Sequence, residues 1–177
     1  MVNYNQKKNQ KNRTKITTGP FLVPLEVDSE LQCGRDNDRL IITLQNSTHK
    51  ELESFVKLGI CLQPTFDEYE KKSIRAFENI PEKEINLGTY ILEPYTCTII
   101  ERDIPGGIGD GKDEKGAIYR VTAEGDFLLS QKTNEPICGL LEISVVIGSV
   151  FNPLAIGLEQ ADAATFFRFK DFVFCEC

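Results

Sequence analysis

Ile85-NLGTYILEPYTCTIIERD-Ile104, Ala117-IYRVTAEGD-Phe127 and Ile137-CGLLEISVVI-Gly148 decide the fold. Each run is rich in β-branched and aromatic residues and is bounded by Pro, Gly, Asn or Asp, the composition of strands between turns. In the third run Leu141, Ile143, Val145 and Ile147 recur at every second residue, while Leu140, Glu142 and Ser144 take the other face. That alternation describes a strand with one buried and one partly wet side. Glu93-Pro94 forms a corner between Leu87–Leu92 and Tyr95–Asp103, and residues 105–116, rich in Gly and Asp, read as a hairpin tip.

Outward from this block the same signals repeat. Residues 21–27 read as a first strand in which Pro24 marks an edge or a bulge. A turn at residues 33–38 precedes the strand Arg39–Gln45, with Leu40, Ile42 and Leu44 on one face. After a turn at Asn46–His49, the run Ser54–Gln63 turns Val56, Leu58, Ile60 and Leu62 inward and Phe55, Lys57 and Cys61 outward. Phe66, Tyr69, Ile74, Phe77 and Ile80 fall at roughly helical spacing before Pro81, which predicts one short helix or ordered crossover. The segment Ala161–Phe174, with Phe166, Phe167, Phe169, Phe172 and Phe174, reads as a closing strand apolar on both faces. About eight or nine strands at near-regular spacing predict an all-β, jelly-roll-like antiparallel sandwich.

At 177 residues the chain suits one domain with a full core. Two parts are expected: a basic arm over residues 1–19 and a sandwich over 20–177. No apolar run nears the ~20 residues that span a bilayer. The first 15 residues have no apolar h-region, so synthesis without a secretory signal, in the cytoplasm, is expected. Those residues carry Lys7, Lys8, Lys11, Arg13 and Lys15 and no acid, a charge of +5; the chain's −7 therefore leaves −12 on residues 16–177. A disordered solubilising tail, a nucleic-acid-binding arm and a connector docking on the acidic body of another copy all have this composition. The body repels phosphate and the arm has no aromatic but Tyr4, which argues against nucleic acid.

Six cysteines, Cys33, Cys61, Cys97, Cys138, Cys175 and Cys177, lack the paired C-x-x-C spacing of a zinc or thioredoxin-like site. Cys97 and Cys33 read as small buried hydrophobes. Cys61 and Cys138 point away from the apolar faces of their strands, and Cys175 and Cys177 lie at the chain end. Four exposed thiols predict crosslinks between chains outside a reducing compartment, above all through the terminal pair. His49 is the single histidine and sits in a turn, without a nucleophile partner; G-x-S-x-G is absent. Gly107, Gly109 and Gly111 do not lead a strand into a helix, and Asp110, Asp113 and Glu114 do not match an EF-hand. No catalytic residue, metal or cofactor is expected. Asn12-Arg13-Thr14 and Asn46-Ser47-Thr48 are glycosylation sequons that stay unused without a signal peptide.

The polar arm ending at Gly19-Pro20, the strand–proline corner–strand Leu87–Ile100, the strand opening at Glu142-Ile143-Ser144 and the cysteines without a secretion signal resemble the jelly-roll subunits of bacterial endospore appendage fibres and related spore-surface proteins. The resemblance spans residues 20–150 as an architecture. It implies head-to-tail stacking by strand augmentation, an N-terminal connector reaching into a neighbour, disulfide locking, and a spore-surface location after synthesis in the mother cell. Two departures matter: this arm has no cysteine, and a Phe-rich extension ends in Cys175 and Cys177, so a crosslink would run from the C-terminus.

The expected function is therefore a non-enzymatic, self-assembling subunit of a spore-surface or extracellular fibre. It would form a homopolymer, with other spore-surface proteins as further partners and neither nucleic acid nor membrane. Lys7, Lys8, Lys11, Arg13 and Lys15 would steer docking, and Ile16, Phe21 and Val23 would augment a neighbour's sheet. Cys61, Cys138, Cys175 and Cys177 are the disulfide candidates. The alternative is a carbohydrate-binding or adhesin module on the same fold, which the absence of Trp weakens.

Overall fold

A computed structural model describes residues 13–23, 38–62, 79–105, 114, 116–149 and 162–175. Among the described residues ten strands follow one another: β1 (Thr14–Thr17), β2 (Phe21–Leu22), β3 (Arg39–Asn46), β4 (Leu52–Cys61), β5 (Lys83–Leu92), β6 (Cys97–Asp103), β7 (Ile118–Gly125), β8 (Leu141–Ser149), β9 (Asp162–Phe167) and β10 (Val173–Phe174). A 3-10 turn at Phe169–Asp171 separates the last two.

The strands form two antiparallel sheets packed face to face. One has the order β10-β1-β7-β4-β5, with β2 also on β7; the other runs β6-β3-β8-β9. The chain crosses between sheets after β2, β3, β5, β6, β7 and β9, so that β7 returns beside β4 and β8 beside β3. That nesting is the wound Greek-key connectivity of a jelly roll. The place next to β8 is taken by β9, which arrives from the C-terminal end.

Period-two alternation builds the core. Leu40, Ile42 and Leu44 of β3 and Leu141, Ile143, Val145 and Ile147 of β8 face Val56, Leu58 and Ile60 of β4 and Tyr119, Val121 and Ala123 of β7, all buried. Asn46, at the end of β3, is buried among them. Its Nδ2 donates to the carbonyl oxygens of Lys50 (2.7 Å), Leu92 (3.0 Å) and Glu93 (3.0 Å). Its Oδ1 accepts from Thr48 N–H (2.9 Å) and the Thr48 hydroxyl (2.8 Å). One amide thus ties the β3–β4 turn to the Glu93-Pro94 corner, and its nitrogen is sequestered from glycosylation for a structural reason.

Three expectations are corrected. The arm does not end at residue 19: Thr14–Thr17 pairs with β7 (Ile16 opposite Ala123) and with β10 (Ile16 opposite Phe174) of its own chain, and Ile16 is fully buried. The Phe-rich closing segment is two strands in different sheets, because Phe169 and Phe172 turn into the core between them. Cys97 is exposed, since Thr98, Ile100 and Arg102 take the inward positions of β6. The predicted helix or crossover at Phe66–Ile80 lies outside the described residues, apart from Asn79 and Ile80.

Because Ile16 is part of its own core, Ile16→Ala is expected to destabilise the monomer by about 3 kcal/mol, as buried Ile→Ala changes do. Urea unfolding under reducing conditions measures it. An unchanged midpoint would mean that β1 is not held by its own sheet.

Candidate assembly surfaces

The predicted docking residues divide. Lys7, Lys8 and Lys11 lie outside the described residues. Arg13 forms an ion pair with Glu53 of β4 at 2.7 Å, and Lys15 sits opposite Glu124 of β7. Phe21 packs on Phe167 (centroids 4.6 Å) and Tyr119 (6.3 Å), and Val23 is buried. Ile16, Phe21 and Val23 therefore occupy the chain's own sandwich, and the apolar energy they were expected to bring to a neighbour is used at home.

What the fold leaves open is its edges. In a two-sheet sandwich the inner faces bury each other, but the outermost strands keep a row of unpaired backbone groups. On one side the edges are β5 and β6; on the other they are β10 and β9, none paired further among the described residues. Each side also exposes large apolar side chains: Ile91, Tyr95 and Ile99 at 60–73 % on the first, Phe166 and Val173 at 52 and 55 % on the second. Tyr95 holds a φ of +60° at the Pro94 corner, a left-handed conformation unusual for an aromatic residue, so its ring is presented to solvent by strained backbone. The edges differ in quality. β5 is bulged against β4 at Val56/Lys57, where Gly88 has a φ of +132°. β6 pairs with β3 without a break from Cys97 to Asp103.

The direction of the free groups on β6 can be read from its flanks. Thr96 O accepts from Asn46 N–H (2.9 Å) and Ile104 N–H donates to Asp38 O (2.8 Å), so even-numbered residues point at β3. Backbone groups alternate along a strand, so the N–H groups of Cys97, Ile99, Glu101 and Asp103 point to the open edge.

The two outer faces also differ. On the six-stranded sheet, Arg13–Glu53 (2.7 Å), Lys57–Glu84 (3.2 Å) and Arg120–Glu82 (2.6 Å) lace the strands together. Gly59 makes room for the last: a Cβ there would lie 1.7 Å from the Glu82 carboxylate. Such exposed pairs add little stability, but they satisfy a solvent face. The four-stranded sheet instead sets Ile41, Val146 and Phe166 in one cross-strand row and Ile99, Thr43 and Ser144 in the next. Beside these rows a groove of about 620 Å³ runs between Gln45, Ser144, Ile137, Cys138 and Arg168.

Of the cysteines, Cys97 and Cys138 are exposed and Cys61 and Cys175 half-buried, all four as free thiols; Cys33 and Cys177 lie outside the described residues. The Cys175 N–H donates to Lys15 O at 2.9 Å, which extends the pairing of β10 with β1 by one bond. A hydrogen bond to the Glu142 carboxylate, with that group's charge, pushes the Cys138 thiol pKa up. His49 is exposed in its turn, and no group of three His, Cys, Asp or Glu residues suited to a metal occurs among the described residues.

One polar cluster bridges the sheets at the base of the 105–116 loop. Arg102 of β6 donates twice to Glu114, at 2.7 and 2.8 Å, and once to the Tyr119 hydroxyl at 3.1 Å. The Tyr119 hydroxyl in turn donates to Glu114. Tyr119 ends up well above the ordinary phenol value of 10.0, chiefly through burial and then through its bond to Glu114. Burial works against the Arg102 cation, yet the Glu114 hydrogen bond and the neighbouring charges outweigh it and raise its pKa. The arrangement is a lock between β6, β7 and the loop. Sequence reasoning placed Glu114 in a solvated tip and missed it, since its two partners, Arg102 and Tyr119, are brought together only by the folding of one sheet over the other.

Comparison with protein families, with curated proteins and with solved structures finds no match to this chain.

The Tyr119 shift has a sign that can be checked. A phenol raised in the folded state contributes stability that is complete below the unfolded value near 10 and is lost as pH rises above it. Unfolding free energy is therefore expected to fall between pH 10 and 12 more steeply in the parent than in Tyr119→Phe. At pH 7 the variant should be only about 1 kcal/mol weaker. Parallel urea titrations with equal alkaline slopes would contradict the lock.

Proposed function

We propose that this chain is a non-enzymatic, self-assembling structural subunit that polymerises by edge-to-edge strand addition, as in a spore-surface or extracellular fibre. The carrying observation is the pair of open, apolar-flanked edges on opposite sides of one sandwich. The pair that continues one sheet is β6, seven residues and unbulged, and β9, six residues with one register shift against β8 at Ile147/Gly148. Adding β9 of one copy to β6 of the next continues the four-stranded sheet through backbone hydrogen bonds and brings Phe166 toward Ile99. Because the two edges are different surfaces, the contact is heterologous, and its repetition gives a ring or an open helix.

The basic leader has a smaller part in this reading than its charge suggests. Residues 14–17 complete the six-stranded sheet, which backs the sheet that the polymer continues, and Lys7, Lys8 and Lys11 would steer one acidic body toward the next. Homopolymerisation, disulfide reinforcement, other spore-surface partners and location outside the reducing cytoplasm belong to the same proposal.

The test is backbone-specific. Glu101→Pro removes an N–H that points to the open edge and should stop polymerisation while shifting unfolding by no more than about 1 kcal/mol. Ile100→Pro, which removes a donor to β3, should unfold the protein. Negative-stain microscopy with light scattering gives the readout. Particles from Glu101→Pro indistinguishable from the parent's would refute edge addition.

A further inference from the structure

Cys97 and Cys138, the two exposed thiols among the described residues, both belong to the outer side of the four-stranded sheet, Cys97 in β6 and Cys138 in the segment that leads into β8. Cys97 is opposite Gln45, Gln45 is opposite Glu142, and Cys138 lines one groove with Gln45 and Glu142. We propose that a second copy of this chain docks on that face about a two-fold axis running along the strands between β3 and β8, and that oxidation joins the copies by two reciprocal Cys97–Cys138 disulfides.

The symmetry follows from the layout. Such an axis keeps each row level and exchanges the two sides of the sheet, so β6 of either copy lies over the β9 side of the other. Ile41 then meets Val146 of the second copy, and the exposed Ile99 lies over the groove bounded by Ile137 and Arg168. Charge agrees with this choice. Glu101 and Asp103 make β6 acidic, and both are held by Arg39 at 3.2–3.3 Å; Arg168 and Lys170 stand beyond β9. An axis across the strands would stack the acidic β6 of one copy on the acidic β6 of the other. The contact is isologous, uses the face and not the edges, and so is separate from polymerisation.

The bond is within reach because Cys138 is not in the sheet. Face-packed sheets stand about 10 Å apart, beyond the roughly 4.4–6.8 Å between Cα atoms of a disulfide. Cys138 belongs to the segment that walls the groove above β8, which brings it toward Cys97 of the second copy. A small-molecule disulfide such as oxidised glutathione is the oxidant. The Cys97 thiolate attacks it, forming a mixed disulfide and releasing one glutathione thiolate. Cys138 of the second copy, on losing its proton to solvent, then attacks the Cys97 sulfur and expels the second glutathione. Two protein thiols and one glutathione disulfide become one protein disulfide and two glutathione thiols. The Glu142 contact disfavours the Cys138 thiolate, which leaves the first attack to Cys97.

The experiment treats the full chain with a glutathione redox buffer, followed by non-reducing electrophoresis and peptide mapping by mass spectrometry. The parent should give a covalent dimer containing the Cys97–Cys138 linkage. Cys97→Ser and Cys138→Ser should each lose it, and an equimolar mixture of the two variants should regain a singly bonded heterodimer. Both positions are exposed, so the serines leave the fold intact. A dimer linked through Cys97–Cys97 or Cys175, or no heterodimer from the mixture, overturns the proposal. The double serine variant should still form particles under the microscope, so failure of the face contact and failure of edge addition are read separately.

Discussion

Two stacked sheets can bury their inner faces in each other, but they cannot satisfy the backbone of their outermost strands. In this chain the first half of that statement is met by the inward residues of β3, β4, β7 and β8, which are buried from end to end. The second half leaves β5, β6, β9 and β10 with unsatisfied edges among the described residues. Closed barrels escape this condition; an open sandwich has to blunt its edges or use them. Here β5 is blunted by its bulge and by Lys83 and Glu84, whereas β6 is straight and flanked by exposed isoleucine. That difference directs attention to β6.

The leader shows how the same condition can be met within one molecule. Thr14–Thr17 inserts between β7 and β10 and closes what would otherwise be an open edge on β7. Its position is secured by Ile16 in the core and by Cys175 bonded to Lys15 O, so the first and last described strands lie side by side at one edge of one sheet. The +5 charge of the first 15 residues is then a property of a segment whose last part is structural. A charge pattern describes how a segment is drawn to a surface, not which surface its backbone joins.

Polar side chains do the cornering. Asn46 and the Arg102–Glu114–Tyr119 cluster each join segments far apart in sequence, one at the Pro94 end and one at the base of the 105–116 loop. Both are buried or nearly so and fully partnered, the condition under which interior polar groups specify a fold instead of weakening it. Among the described residues, the ion pairs on the outer face of the four-stranded sheet gather on Arg39 at one end of β3 and β6, while the six-stranded face spreads three pairs along its strands. The asymmetry separates a face built for water from one suited to a covering surface.

Strand positions, the all-β class, the Pro94 corner and most inward residues were legible in the amino-acid sequence, because side-chain alternation is a local property with period two. Where the pattern is ambiguous the reading failed: Thr98-Ile99-Ile100 is apolar in both phases, so which residues of β6 face out, and with them the exposure of Cys97, was undetermined. The Phe-rich end had the same defect and concealed a crossing between sheets. Only the tertiary structure decided that β1 belongs to its own sandwich, that Glu114 reaches Arg102 and Tyr119, and that Cys97 is level with Gln45 and Glu142 of the groove that Cys138 lines. Pairing partner and sheet face are set by residues distant in the chain, and a periodicity of two carries no information about them.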